Sequence, residues 1–522
     1  MTDTVIPSAL PLRSRRSVES RDPATGQVWQ RYDSADATTI ANLMWAARRA
    51  QPIWAAQPIR ERVQVLRRFR ELLFDRRQDV AFLITRENGK PTVEALASEV
   101  LIVLDYAQSY AKVAPRLLRR QNRWPTTLSM LAKSIRVEYV PHGVVGVISP
   151  WNYPFMLAAG IMLPALVAGN AVILKPSEFT PSSGQLLVEL LRSAGVPADI
   201  VACVPGDGIT GAALVNSGVD KVSFTGSVAT GRKVARACAE QLIPCSLELG
   251  GSDPAIVLKN ADVARAARGI AWGRFSNAGQ TCVAPKRVYV VDSIYDEFAQ
   301  ALATEVNALV VGAGSDAGVD VGPLVRPIQA TQVRAQFDDA IALGARVLAR
   351  AAAPEGEQWV APTVLDNVPA TARMLTEETF GPVLPLVRVK DADEAVRLAN
   401  ESEFGLSASV WGRGIVRTTA IARRLHAGTV AINDVAVVAG MADVPHGGTK
   451  SSGMGRAHGA EGLLEFVRTR TIVSDRVAFA RQPWWFRYGA GQYERFDAVV
   501  RAMHGRGWNR VTSMIAAAKS FL

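Results

Sequence analysis

Between residues 36 and 122, Leu66, Phe69, Leu72, Leu73, Val80 and Leu83 recur at helical spacing among Arg, Glu and Gln. An apolar stripe at that period predicts amphipathic helices covering one face of a sheet. From Ser134 the period falls to two. Ile135, Val137 and Tyr139 alternate with charged residues, which predicts a half-buried strand. The run GVVGVI at Gly143–Ile148 is apolar throughout, as expected of a strand buried on both faces of a parallel sheet. Ala171–Leu174, Ile200–Val204 and Lys221–Phe224 repeat that signature, with helical segments such as Ser183–Ala194 between them. The alternation predicts a doubly wound α/β domain whose ligands bind at the carboxyl ends of its strands. A second rhythm runs from Pro254 to Ala431, with strands at Ala255–Val257, Val288–Val291 and Val383–Val387 and helices at Tyr295–Val306 and Asp391–Asn400. A glycine-rich loop from His446 (HGGTKSSGMG), a helical turn at Glu461–Phe466 and a strand at Thr469–Val473 follow.

The 522 residues, 48% hydrophobic and 20% charged, are enough for two to four domains or one large interleaved pair. Four scattered cysteines (Cys203, Cys238, Cys245, Cys282) make no disulfide framework. No CxxC pair or histidine cluster points to a metal, so no metal and a reducing cytoplasm are expected. Arg13, Arg15 and Arg16 are not followed by an apolar run, so a secretory signal is not expected. Nor is a membrane-spanning helix. The net charge of +11 is concentrated late: residues 481–522 hold seven basic and two acidic residues. The remainder is close to an ordinary balance, which argues against nucleic acid as a partner. In this basic segment Trp484, Trp485 and Phe486 precede two apolar helical faces. One is Tyr493, Phe496, Val499, Val500 and Met503; the other is Trp508, Val511, Ile515 and Ala518. Two readings stand: an interfacial helix making peripheral membrane contact, or packing over the protein's own or a partner subunit's surface.

Chemistry centres on FSNAGQTCVAP, Phe275–Pro285, where Cys282 has small and polar flanks (Asn277, Gly279, Gln280, Thr281) rather than the apolar ones of a structural cysteine. A thiol nucleophile, starting from a pKa near ~8.5, needs a base and an oxyanion donor. Five stretches sit at strand ends. In ISPWNYPF, Asn152 offers a side-chain N–H to an oxyanion, or simply caps the next helix. In ILKPSEFTP, Lys175 and Glu178 suit a ribose; the bland alternative is a solvated turn with a helix N-cap at Ser177. FTGSVATG is a strand–glycine–helix turn fit for a phosphate, though not GxGxxG. LELGG places Glu248 before two glycines, either as a general base or as a surface carboxylate. EETFGP offers Glu378 and Phe380 to a ribose and a flat ring.

In this order the stretches resemble the aldehyde dehydrogenase superfamily over about residues 20–480, and Glu248 precedes Cys282 by 34 residues as base precedes nucleophile in that family. The resemblance implies two doubly wound Rossmann-like domains, a small β oligomerisation segment and a helical C-terminal extension. The dinucleotide-binding domain would be 1–121 and 142–250, the catalytic domain 251–445, the oligomerisation strands 122–141 and 465–480, and the extension 481–522. It also implies roles. Cys282 attacks an aldehyde; Asn152 and the Cys282 backbone N–H hold the oxyanion; Glu248 activates the water that hydrolyses the thioester. Lys175 and Glu178 would bind the adenine-side ribose, Ser227 the pyrophosphate and Glu378 the nicotinamide-side ribose, with Phe380 against the ring. Ser149, Pro150, Trp151, Ser177, Gly226, Leu249 and Gly250 complete the cofactor wall.

Glu178 favours NAD over NADP, because a 2′-phosphate would face a carboxylate; NADP remains an alternative. The helix beginning Phe155, Met156, Leu157, Ala158, Ala159, Gly160 brings no cation to the substrate tunnel, which favours an apolar medium- or long-chain, or aromatic, aldehyde. His446 stands where many relatives have Phe, either shaping the substrate funnel or acting as a spacer. The alternatives are a succinate-semialdehyde-type dehydrogenase and a CoA-acylating dehydrogenase, whose members usually lack the LELGG glutamate. By resemblance the strands at Ser134–Pro141 and Thr469–Val473 would make a homodimer or homotetramer.

Overall fold

The computed structural model describes residues 16–126, 130, 132–477, 482 and 484–506. They fall into two units, the larger within Met1–Leu117 and Val140–Arg468, the smaller within Leu118–Tyr139 and Thr469–Leu522.

In the larger unit, β1 (Val144–Ile148), β2 (Ala171–Lys175), β3 (Val201–Cys203), β4 (Lys221–Thr225) and β5 (Cys245–Glu248) form a parallel sheet in the order β3-β2-β1-β4-β5. The short strand Gly453–Met454 adds antiparallel to β5. The continuous apolar runs of β1 and β2 are buried because helices cover both faces of a parallel sheet. Strand order reverses between β1 and β4, and a ligand crevice opens at such a point. The register brings the strand ends level: Ile148 lies opposite Lys175 and Phe224, and Thr225 opposite Glu248. The helix Met156–Val167 is apolar on every side and correspondingly buried, with Leu157 alone half-buried. The turn after β2 departs from the solvated-turn alternative. Lys175 and Ser177 are buried, and the helix starts at Pro181 with Thr180 in the cap position. The amphipathic helices expected between 36 and 122 are Ala37–Ala56, Ile59–Asp75, Arg77–Asn88 and Leu101–Leu117.

The second sheet comprises β6 (Asp253–Val257), β7 (Pro285–Val291), β8 (Arg346–Arg350), β9 (Thr363–Asp366), β10 (Val383–Val389), β11 (Ser407–Trp411) and β12 (Thr429–Ile432). Their order is β8-β9-β10-β7-β6-β11-β12, parallel except for β8–β9. Alternation along β7 sends Val288 and Val290 to a core with Phe275, Phe298 and Leu302, and Tyr289 and Val291 to another with Ile256 and Val410. The chain is a mixed α/β protein built on two largely parallel, Rossmann-like sheets.

In the smaller unit, strand Gln121–Arg123 pairs antiparallel with Lys133–Pro141, which lies beside Val467–Asp475. Arg470 and Glu138 bridge these last two at 2.8 Å. Helix Gln492–His504 follows; it exposes Tyr493 and Val500 and buries Ala502. Of the expected apolar faces, Trp508, Val511, Ile515 and Ala518 lie outside the described residues.

Candidate active site

Cys282 sits in the loop between helix Val263–Phe275 and β7. Asn277, Ala278 and Gly279 all take left-handed backbone angles, φ of 52°, 53° and 73°. Such turns cost about 1–3 kcal/mol at each non-glycine position and persist only where neighbours enforce them. Here they are enforced. Asn277 Nδ2 donates to Asn152 O at 2.8 Å, Gln280 Nε2 to Asn277 O at 2.9 Å, and Val325 N to Gln280 Oε1 at 3.0 Å. A Cβ on Gly279 would run into the Gly381 carbonyl, so only glycine fits. Lys286, buried at the start of β7, donates to the carbonyls of Thr281 at 2.8 Å and Cys282 at 2.6 Å. The thiol is pushed up to about 12, chiefly by burial, with Lys286 opposing and Glu248, Asp253 and Glu378 adding to the rise. The Cys282 side chain therefore rests as a thiol, and it needs more help to ionise than an unperturbed cysteine.

Asn152 follows β1 and is buried. Its carbonyl accepts from Asn88 Nδ2 at 3.2 Å, Lys90 Nζ at 2.9 Å and Asn277 Nδ2, and Asn88 also donates to Trp151 O at 2.9 Å. Lys90 is itself paired with Glu99 at 2.7 Å, both wholly buried, and Glu99 Oε2 accepts from the Phe155 and Met156 amides. This scaffold ties the Asn152 loop to the cysteine loop. One Asn152 amide hydrogen goes to Gln280 O at 3.0 Å, which leaves the other for a substrate oxygen.

Glu248 ends β5, not on the surface but with Oε1 enclosed and unpartnered. Burial raises its carboxyl to about 7, against the lowering influence of Arg456. The glycine-rich loop after His446 holds this stretch: Leu249 N donates to Ser452 O at 3.0 Å and Ser452 Oγ to Gly250 O at 2.8 Å.

Two cavities, of about 640 and 660 Å³, meet at Cys282, Glu248 and Leu157. The larger is lined by all fifteen residues expected of the site: Asn152, Glu248 and Cys282 with Ser149, Pro150, Trp151, Lys175, Ser177, Glu178, Gly226, Ser227, Leu249, Gly250, Glu378 and Phe380. Its features fit a dinucleotide. Lys175 and Glu178 pair at 3.3 Å at the end of β2. Ser227 follows the glycine turn and caps helix Val228–Glu240, its Oγ accepting from Thr230 N at 3.3 Å. Glu378 Oε1 accepts from Gly251 N at 3.0 Å and lies 3.5 Å from Lys286 Nζ, while Phe380 stands edge-on to Trp151 at 5.5 Å. Ser149 Oγ and Arg326 Nε are enclosed there without hydrogen-bond partners, the Arg326 guanidinium lying over the Phe179 ring at 4.5 Å. Sequence reasoning missed Arg326, Gln329 and Gln332 on this wall, and also Lys286, Lys90 and His458. For Lys286 the available signal was a lysine heading the apolar run RVYVV; Lys90, in the polar stretch ENGKPT, offered none.

The smaller cavity is the candidate substrate side. Of the helix residues expected along it, Met156 and Leu157 line it, while Phe155, Ala158, Ala159 and Gly160 pack elsewhere. Val93, Trp272, Val437 and Met441 are exposed at its wall. Its charged residues are Glu94, Glu248, Glu305, Asp320 and the exposed Arg268. His446 lines it too, buried, beside His458.

A family model, the aldehyde dehydrogenase family, matches residues 11–472. A Methylomonas protein named 4,4'-diapolycopene aldehyde oxidase is 39% identical over 491 residues, covering 94% of this chain and 92% of that one. A Mycobacterium tuberculosis protein provisionally named succinate-semialdehyde dehydrogenase [NADP(+)] 2 is 41% identical over 83% of each chain. The crystal structure of a Mycobacterium tuberculosis aldehyde dehydrogenase complexed with NAD+ superposes with a TM-score of 0.84 at 34% identity, covering 89% of this chain and 95% of that one. With Cys282, Glu248 and Asn152 lining one cavity and these matches over most of its length, the chain belongs to the aldehyde dehydrogenase family.

Proposed function

We propose that this NAD(P)-dependent aldehyde dehydrogenase oxidises an apolar medium- or long-chain, or aromatic, aldehyde to its acid. The supporting observation is the character of the smaller cavity: aliphatic and aromatic walls, four acidic residues and a single exposed arginine. A distal carboxylate, as on succinate semialdehyde, would enter a field of its own sign. The relative named for a 4,4'-diapolycopene aldehyde points the same way.

In this reading Cys282 sulfur adds to the carbonyl carbon, and the oxyanion is held by the free Asn152 amide hydrogen, a contribution of roughly 3–4 kcal/mol. Lys175, Glu178, Ser227, Glu378 and Phe380 hold the dinucleotide, and NAD, preferred over NADP because of Glu178, supplies the hydride acceptor. Glu248 then takes a proton from water, which attacks the thioester. Its titration near 7 suits a base at neutral pH. The exposed strand Val467–Asp475, with Ile472 and Val473 turned to solvent, supports assembly of a homodimer or homotetramer through its edge.

The 481–522 segment is read as a peripheral membrane contact. Trp485, Phe486, Tyr488 and Tyr493 are exposed, and no described helix is long and apolar enough to cross a bilayer. Sedimentation with liposomes of the full chain against one truncated after Gln482 tests this; equal sedimentation refutes it.

A graded series of aldehydes, assayed by NADH formation with and without CoA, tests the substrate. Each added methylene is worth about 0.8 kcal/mol, roughly fourfold in kcat/KM until the tunnel is filled. Best turnover with succinate semialdehyde would overturn the reading, and dependence on CoA would overturn hydrolysis.

A further inference from the structure

An apolar chain that fills the substrate cavity expels water, yet thioester hydrolysis needs one water at the far end of that chain. Three polar side chains on the cavity wall bear on where it could be held. His446 and His458 line the cavity with Glu248, each only 3% exposed, their rings 6.1 Å apart and nearly parallel. Tyr106 stacks on His458 at 4.5 Å. The Tyr106 hydroxyl donates to Ala439 O at 2.8 Å, so its oxygen accepts from His458 Nε2–H at 3.0 Å. That fixes the tautomer and leaves His458 Nδ1 a bare acceptor.

His458 Nδ1, His446 Nδ1 and Glu248 Oε1 are all enclosed and without a protein partner. Orphaned buried acceptors and donors are costly, and ordered water is their usual partner. A methylene chain satisfies none of them. Burial lowers His446 to about 4 and His458 to about 3, so both rings are neutral hydrogen-bonding groups at working pH.

We propose that His446 and His458 are positioning residues that retain the hydrolytic water beside Glu248 when the acyl chain occupies the tunnel. This rests on the reading of the cavity as an apolar tunnel and of Glu248 as base. In the step, a water O–H bond breaks and its proton goes to Glu248. The water oxygen bonds to the acyl carbon, the C–S bond breaks, and the acid leaves with Cys282 as thiolate; no electrons change hands.

The test is pre-steady-state oxidation of dodecanal with NAD by wild type, His446→Phe, His458→Leu and the conservative His446→Gln. Loss of this hold predicts a full NADH burst, one per chain, at the wild-type rate in the Phe and Leu variants. Their kcat then falls roughly three- to tenfold, the worth of a hydrogen bond between neutral groups. Hydroxylamine, which resolves a thioester without a base-activated water, restores turnover, and the Gln variant falls between. An unchanged kcat, or a burst that slows in step with kcat and is not relieved by hydroxylamine, overturns the proposal. If wild type rejects dodecanal but accepts succinate semialdehyde, the apolar reading has failed. The same burst experiment with that aldehyde then decides the histidines separately.

Discussion

Replacing Glu248 by glutamine should stabilise the protein while crippling its turnover. Burial lifts this carboxyl from 4.5 to about 7. A group whose native pKa is raised loses stability as pH climbs from its unfolded value through its folded one. Below pH 4.5 both states are protonated and the carboxyl carries no penalty. Above about 7 the native state holds an ionised carboxylate in an enclosed site. The full shift corresponds to up to about 3 kcal/mol, an upper bound because the residue opens in part onto cavity water. Glutamine fills the same space without ionising. Urea unfolding of both proteins should therefore show the variant gaining stability at pH 8.5 relative to pH 5, approaching that bound. In the same variant kcat collapses while the first NADH still forms. In wild type kcat rises with pH through about 7 as the base form appears. A stability difference that is the same at both pH values, or a variant turning over like wild type, would refute the reasoning.

Other outcomes follow from the scaffold. Lys90→Met leaves Glu99 buried without its partner and should destabilise the fold by about 3–5 kcal/mol, read as a lowered urea midpoint. Gly250→Ala places a Cβ against the Glu378 carboxylate and should weaken NAD binding roughly tenfold by fluorescence titration, with the unfolding midpoint little changed. Glu178→Gln removes the charge facing a 2′-phosphate and should raise kcat/KM for NADP relative to NAD; an unchanged ratio would place cofactor choice elsewhere.

The cofactor groove was legible because it is built at strand ends. Continuous apolar runs identified β1, β2 and β4 as strands buried on both faces, and the residues immediately after each run line the groove because a parallel sheet exposes that edge. Lys175 and Ser227 owe their placement to this regularity, whereas Glu248 was singled out by its place in LELGG, the strand it ends having no apolar run. The support beneath the site was not legible. Lys90, Glu99 and Asn88 act on Asn152 from more than fifty residues away, and a buried ion pair looks like a solvated one in a sequence. Periodicity is equally blind to the three left-handed residues before Cys282, which only tertiary hydrogen bonds hold. The thiol's upward shift was hidden for the same reason, since it comes from enclosure rather than from neighbours in the chain. His446 stood out only as a departure, and its partner His458, twelve residues on, gave no periodic signal.

The central claim is that one sulfur carries the acyl group. The direct measurement treats the Glu248→Gln variant with aldehyde and NAD, then locates the added acyl mass by peptide mass spectrometry. The account predicts one NADH per chain and the acyl group on Cys282, with neither product in Cys282→Ala. An acyl group on another residue, or NADH formed by Cys282→Ala, would contradict it.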